Sequence, residues 1–360
     1  RNTGASSHVT EYSTSFGTDR LINRFDREPY ALAFSGQGFD WLKTLRAAVA
    51  AGVVTAVTAR FDGAAAKLAP VADELAGTRP HGFDPLAWAR DEEGPAFDAA
   101  QVAISVPGIF TAQLAVLESL DRQGLELEKA VTTVGHSQGK LASLLAEGKA
   151  ESDDLLAIAQ LIGAAMTRTA RMTGLIQQGG HSPMVSVRGI SRERLQQAID
   201  HACADVPEEL RPAVGLRNTR DTYVMVGRPQ DNAAVRELLG KFAAKDTKAV
   251  ENKERGGEPF NPQFTDLPIQ SAFHHPAMES AVEQTVAWAA KAGLDTAVAR
   301  EAAQLVLTAQ VDWPAELDAA VDAGARWILE IGPDGGMLPL TRRIVAGRGV
   351  GTLDVSGTAG

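Results

Sequence analysis

The sequence of 360 residues holds one cysteine, Cys203. A single thiol builds neither a disulfide framework nor a Cys-rich metal site, so no metal is expected and a reducing, cytoplasmic setting is. Positive charge is also scarce, with 35 Lys and Arg against 45 Asp and Glu and a formal net charge of -10. That balance argues against nucleic acid or an anionic membrane as the main partner. No apolar run approaches the ~20 residues of a bilayer span and no signal peptide opens the chain, so no membrane association is expected. Aromatic residues are only 6%, yet 44% of the chain is hydrophobic and 22% charged, which is ordinary for a globular protein of one large domain or a large and a small one. A first residue of Arg and a small-residue tail over 353–360 read as a segment cut from a longer polypeptide.

What the chain does have is an abrupt strand-to-turn transition. The apolar β-type run Ala130, Val131, Thr132, Thr133, Val134 breaks into Gly135, His136, Ser137, Gln138, Gly139. A Ser on such an elbow is pushed clear of the backbone, and glycine is needed on either side because a Cβ there would meet the neighbouring chain. Leu141, Leu144 and Leu145 follow at helical spacing and Gly148 could close the helix. Ser137 would then sit at a helix N-terminus, where free amides and the helix dipole can stabilise an oxyanion.

Residues 1–28 are polar and Ser/Thr-rich and read as a linker or arm. Tyr30 to Phe34 is a short apolar strand running into a second tight turn, Ser35, Gly36, Gln37, Gly38. Ala-rich helices over 41–50 and 64–75, the latter interrupted by Pro70, precede a helical stretch over 98–120 with a break expected at Pro107 and Gly108. Alternating strands and helices argue for a parallel sheet covered on both faces. After Gly179 and Gly180 the order becomes β (184–187), α (192–204), β (213–217), β (223–226), α (232–244), with an exposed loop over 245–266 and a last strand over 267–272. This is the pattern of a ferredoxin-like subdomain inserted in the larger unit. The expected division is therefore 29–180 with 268–360 as the α/β core and 181–267 as the insert.

Beyond the insert come Ser271, Ala272, Phe273, His274, His275 and Pro276. Adjacent histidines at a strand end, with Pro276 placed to begin a helix, put at least one imidazole at a rim, and a chain with a Ser elbow needs a base. The segments 306–313 and 327–338 are again strand, helix, strand and loop, with Glu330, Ile331, Gly332, Pro333, Asp334, Gly335, Gly336 as a wide turn.

Phe34-Ser35-Gly36-Gln37-Gly38, the His136-Ser137 elbow, Ala272-Phe273-His274 after a small insert, and Glu330-Ile331-Gly332-Pro333 together resemble the acyl-CoA to acyl-carrier-protein transacylases of fatty acid and polyketide synthesis. The likeness runs from about residue 29 to 345, and Gln138 after the Ser is most similar to the acetyltransferase domain of type I fatty acid synthases. The resemblance implies an α/β-hydrolase-like core with a ferredoxin-like insert. It implies Ser137 as the nucleophile that takes the acyl group from CoA as an ester, His274 as general base and acid, and a backbone carbonyl near Val306 to Thr308 that orients the imidazole. The amides of Gln37 and Gln138 would form the oxyanion hole, with His136 supporting. No cofactor would be bound permanently: acetyl-CoA is the donor, and the acceptor is phosphopantetheine on an acyl carrier protein, beside other synthase domains. That carrier is usually acidic, as this chain is, so tethering on one assembly would have to replace long-range attraction.

Malonyl-specific members carry an Arg 25 residues after the nucleophile, where this chain has Ile162. Arg168 and Arg171 lie about 240° and 180° around the same helix and should not substitute. Ile162 is equally readable as plain core, and both readings can hold, since an apolar wall suits acetyl and rejects an unpaired carboxylate. Lys140, where malonyl-class members have Glu, has no assigned role. The expected activity is that of an [acyl-carrier-protein] S-acetyltransferase. The alternatives are a malonyl/palmitoyl transacylase of the same family, an α/β-hydrolase esterase or thioesterase, and a non-catalytic docking module.

Overall fold

The computed structural model describes residue 25 and residues 28–356, apart from 39, 92–94, 96, 97, 99 and 333–335. The expected arm therefore lies almost wholly outside the described residues, as do Pro333, Asp334 and Gly335. Two sheets organise the chain. The first contains β1 (Tyr30–Phe34), β2 (Thr132–Gly135), β8 (Trp327–Ile331) and β9 (Gly351–Asp354) in the order β2-β1-β8-β9, all parallel. Phe34 pairs with Gly135 on one side and Ile331 on the other, so the two glycine turns and the Glu330 turn emerge together at the carboxyl edge. Ligands of open parallel sheets bind at that edge.

Helices α1 (Trp41–Ala50), α2 (Thr55–Leu68), α3 (Ala72–Ala76) and α4 (Pro85–Arg90) lead to α5 (Val102–Arg122), then α6 (Lys140–Ala146) and α7 (Ser152–Thr173). Helix α5 is buried from Val102 to Leu120 at every position except Glu118. It is long and apolar enough by composition to cross a membrane, contrary to the sequence reading, but 94% of its apolar window is buried inside the protein. Its hydrophobicity is that of a core helix packed on all sides. The break expected at Pro107 and Gly108 is absent, because tertiary packing on both sides outweighs the missing N–H of one proline. Gly108 serves packing instead: a Cβ there would lie 2.6 Å from the Trp41 ring. The opposite sheet face is covered by α12 (Trp313–Asp322) and α13 (Leu338–Val345), whose Trp313, Leu317 and Ile344 meet Ala31, Ala33 and Ile328.

The second sheet has the order β6-β3-β5-β4-β7 and its own core, including Val187, Leu195, Val214, Met225 and Val235. It comprises β3 (Met184–Arg188), β4 (Ala213–Thr219), β5 (Thr222–Val226), β6 (Gln263–Asp266) and β7 (Val311–Asp312), with α8 (Arg192–Ala202) and α9 (Pro229–Glu251). Three expectations are corrected. The helix assigned to 232–244 starts at Pro229 and runs on to Glu251, consuming part of the expected loop. The last strand lies at 263–266 rather than 267–272, antiparallel to β3. And the expected strand over 306–313 is mostly helix, α11 (Thr296–Leu307) following α10 (Glu279–Lys291), with only Val311 and Asp312 extended. That two-residue strand pairs in parallel with Leu216 and Arg217, stitching the insert to the core.

Candidate active site

The elbow follows from local sterics. A Cβ on Gly139 would come 2.1 Å from the Phe34 carbonyl oxygen, and one on Gly135 would come 2.6 Å from the Gly139 and Lys140 backbone. With β1 and α6 that close, the chain between them turns sharply, and Ser137 takes φ 54°. A non-glycine residue in the left-handed region costs about 1–3 kcal/mol, a strain that concentrates at functional sites. Only two other described non-glycine residues share it, Lys253 and His274. His274 is forced there by its neighbours: the Ala272 amide donates to Leu175 O at 3.0 Å and the His275 amide to Leu307 O at 3.1 Å, pinning the chain on both sides.

The two strained residues meet. Ser137 Oγ lies 2.6 Å from His274 Nε2, and His274 Nδ1 lies 2.6 Å from Ala309 O. A carbonyl only accepts, so Nδ1 carries the proton and Nε2 accepts from the serine hydroxyl. Burial lowers the His274 pKa to about 3, against the opposing pull of the Ala309 carbonyl, so the imidazole is neutral at physiological pH. The orienting carbonyl is thus Ala309, not one in the expected 306–308 segment. Val306 is buried in α11, Leu307 O is taken by the His275 amide, and Thr308 caps the helix, so Ala309 is the first residue past the helix end.

His275 does not share the cleft. It is fully buried, its Nε2 donating to Arg211 O at 2.9 Å and its Nδ1 accepting from the Ala277 amide at 3.1 Å, a capping role at the following turn. Both imidazoles are therefore internal, against the expectation of one at a rim. His136 also points inward, with Nε2 2.9 Å from Asn218 Oδ1 and its ring edge-on to Trp313. Burial lowers its pKa to about 4 and keeps it neutral. The expected oxyanion residues are adjacent: Gln37 Nε2 donates to Gln138 Oε1 at 2.6 Å, and Gln138 Nε2 donates to Val106 O at 2.6 Å. Their side chains tie the first glycine turn to the elbow and to α5. Lys140 finds a partner in Glu316 on α12 at 2.5 Å, a pairing across the elbow helix that the sequence did not suggest.

A cleft of about 190 Å³ opens above Ser137 between the two sheets. Met184, Leu216, Val224, Leu267, Ile269, Phe273, Met337 and Leu340 line it, with Gln37, His136 and Asn218 as its polar groups. None of its described lining residues is Arg, Lys, Asp or Glu. Ile162 is absent from the lining; it is wholly buried in the main core on α7, while Arg168 and Arg171 are exposed. Asn218 is the site residue that sequence reasoning passed over, because it reads as a hairpin-turn residue. A larger groove of about 470 Å³ lies between α8 and α9, away from Ser137, and contains no paired nucleophile and base.

Residues 183–266 match the family described as the fatty acid synthase central AT domain. The fatty acid synthase beta subunit pkiC of Emericella nidulans is 26% identical over 173 residues, 44% of this chain. The chain spans 9% of that relative's length. Among solved structures, the malonyl CoA-acyl carrier protein transacylase of Coxiella burnetii superposes with a TM-score of 0.62 at 18% identity, covering 92% of this chain and 95% of that one. The Synechocystis sp. PCC 6803 malonyl-CoA:ACP transacylase gives 0.62 at 14% identity, covering 91% and 97%. PlMCAT, a malonyl-transacylase solved with the type II PKS acyl carrier protein AntF, gives 0.60 at 18% identity over 92% and 98%. At those identities the superpositions carry the fold, an α/β-hydrolase-like core with a ferredoxin-like subdomain. The shared fold and the match of residues 183–266 to the fatty acid synthase central AT domain together make this chain similar to the acyl transferases of fatty acid synthesis.

Proposed function

We propose that the protein transfers a short uncharged acyl group, acetyl above all, from acyl-CoA through a Ser137 ester to the phosphopantetheine thiol of an acyl carrier protein. The observation that carries this is the Ser137–His274–Ala309 relay, built from two strained residues at the mouth of an apolar cleft. In the first half-reaction His274 Nε2 takes the Ser137 proton as Oγ attacks the thioester carbonyl. The backbone amides of Gln37 and Gln138 receive the oxyanion, a contribution usually worth a few kcal/mol. The Ala309 carbonyl strengthens its bond to Nδ1–H as positive charge develops on the ring. Collapse expels the CoA thiolate, which takes the proton back from Nε2. The second half-reaction reverses the roles, His274 deprotonating the pantetheine thiol that attacks the ester.

Acetyl is favoured over malonyl by the cleft itself, because a buried carboxylate with no cationic partner is heavily penalised. Malonyl transfer is the second reading, favoured by the malonyl-transacylase names of the superposed structures. The test is intact mass after mixing with acetyl-CoA or malonyl-CoA: one acetyl mass on the peptide containing Ser137 is expected, absent in Ser137→Ala. Equal or greater malonyl loading would replace the acetyl reading with the malonyl one.

A further inference from the structure

Glu330 is a carboxyl group in an unusual place. It lies on the interior strand β8, between Ala33 of β1 and Asp354 of β9, and is 1% exposed. Among the described residues it forms no ion pair. Its Oε1 accepts from the Met337 amide at 2.6 Å, and its Oε2 is buried without a partner among them. Met337 leads into α13, and Gly336, Met337 and Leu340 form one wall of the cleft that holds Ser137. This single side chain therefore fastens that wall to the sheet from beneath.

We propose that Glu330 is a positioning residue for the Ser137 site, its buried carboxyl acting in the neutral acid form to hold the Gly336–Leu340 wall in place, so that acyl-donor binding weakens when the group ionises. The inference rests on the function proposed above. Two observations join that geometry. Burial pushes the carboxyl up to about 8, with Asp354 adding to the effect and the Met337 and Leu338 amides and Arg342 opposing it. The groups facing it leave an anion uncompensated: β1 presents the uncharged Ala33, β9 presents Asp354, and α13 presents Arg342, whose Nε is engaged by Thr352.

The test uses Glu330→Gln, which keeps an oxygen for the Met337 amide and cannot ionise, beside Glu330→Ala, which removes the anchor. Single-turnover acylation by acetyl-CoA is followed from pH 6 to 9.5, with fluorophosphonate labelling of Ser137 over the same range. For the parent, the half-saturating acetyl-CoA concentration should rise about tenfold from pH 7 to 9.5, with the maximal rate changing less than threefold. Glu330→Gln should match the parent at pH 7 and stay flat, and a folded Glu330→Ala should be about tenfold weaker throughout. The same alkaline rise in Glu330→Gln, or parental half-saturation in a folded Glu330→Ala, overturns the assignment. If acetyl-CoA acylates no variant, the function proposed above fails, and the half-saturation of a fluorophosphonate whose alkyl chain fills the cleft along the Gly336, Met337 and Leu340 wall decides by the same criteria.

Discussion

The three buried histidines around the elbow should separate cleanly on two axes, rate and stability. His274 Nε2 is 2.6 Å from the Ser137 hydroxyl, so His274→Ala removes the group that accepts its proton. Loss of a positioned general base costs roughly 10²- to 10⁴-fold in rate, and the expected fall in Ser137 acylation lies in that range. His275 makes two different bonds, to Arg211 O at 2.9 Å and from the Ala277 amide at 3.1 Å, both to partly buried backbone. Its removal leaves those groups unsatisfied, at about 1–3 kcal/mol each. His275→Ala should therefore melt several degrees lower, while a folded sample keeps acylation within about tenfold of the parent. His136→Ala should fall between the two, because Asn218 loses its partner and Trp313 its edge contact beside the nucleophile. The assay is stopped-flow or quenched-flow acylation with a thermal melt on each variant. If His275→Ala loses rate while His274→Ala loses only stability, the geometric assignment of the base is wrong.

Gly139→Ala forces a Cβ to within 2.1 Å of the Phe34 carbonyl, so it should cost about 3 kcal/mol and abolish acylation together, checked by denaturant unfolding and labelling. Ile162→Arg would put a guanidinium in the core rather than in the cleft, so it should lower the melting temperature and leave the malonyl-to-acetyl ratio of kcat/KM unchanged; a raised ratio in a folded variant would show that position 162 reaches the acyl group after all. On acidification, His136 and His274 charge in the unfolded chain below about 6.5 but in the folded chain only near about 4 and 3. The unfolded state thus binds more protons, and stability should fall by up to about 1.4 kcal/mol per pH unit per histidine as pH drops through that window. Glu330, pushed up to about 8, has the opposite sign, favouring the folded state below about 4.5 and losing that contribution as pH rises through about 8. Glu330→Gln should remove the second trend and leave the first, measured by urea unfolding at a series of pH values.

Whatever depended on a short stretch of chain was readable from the amino acids. The requirement for glycine at 135 and 139 is a steric condition within a few residues and one neighbouring strand, so Gly135-His136-Ser137-Gln138-Gly139 announces an elbow on its own. The strand at Tyr30 to Phe34 and the β-hairpin around Asn218 carry equally local signals. What needed the tertiary structure depends on distant parts of the chain. The helix across Pro107 survives because packing against α1 and α7 outweighs a local break, and the final small-sheet strand is set by pairing with β3 rather than by hydrophobicity. Ala309 became the orienting carbonyl because α11 ends just before it, a boundary that periodicity places only to within a few residues. His136 meets Asn218 across 82 positions of sequence, and Glu330 is held by an amide seven residues on yet becomes a buried acid only because β1, β9 and α13 exclude water from it. Local sterics are written in neighbouring residues, whereas desolvation and long-range contact arise only when the chain has closed around them.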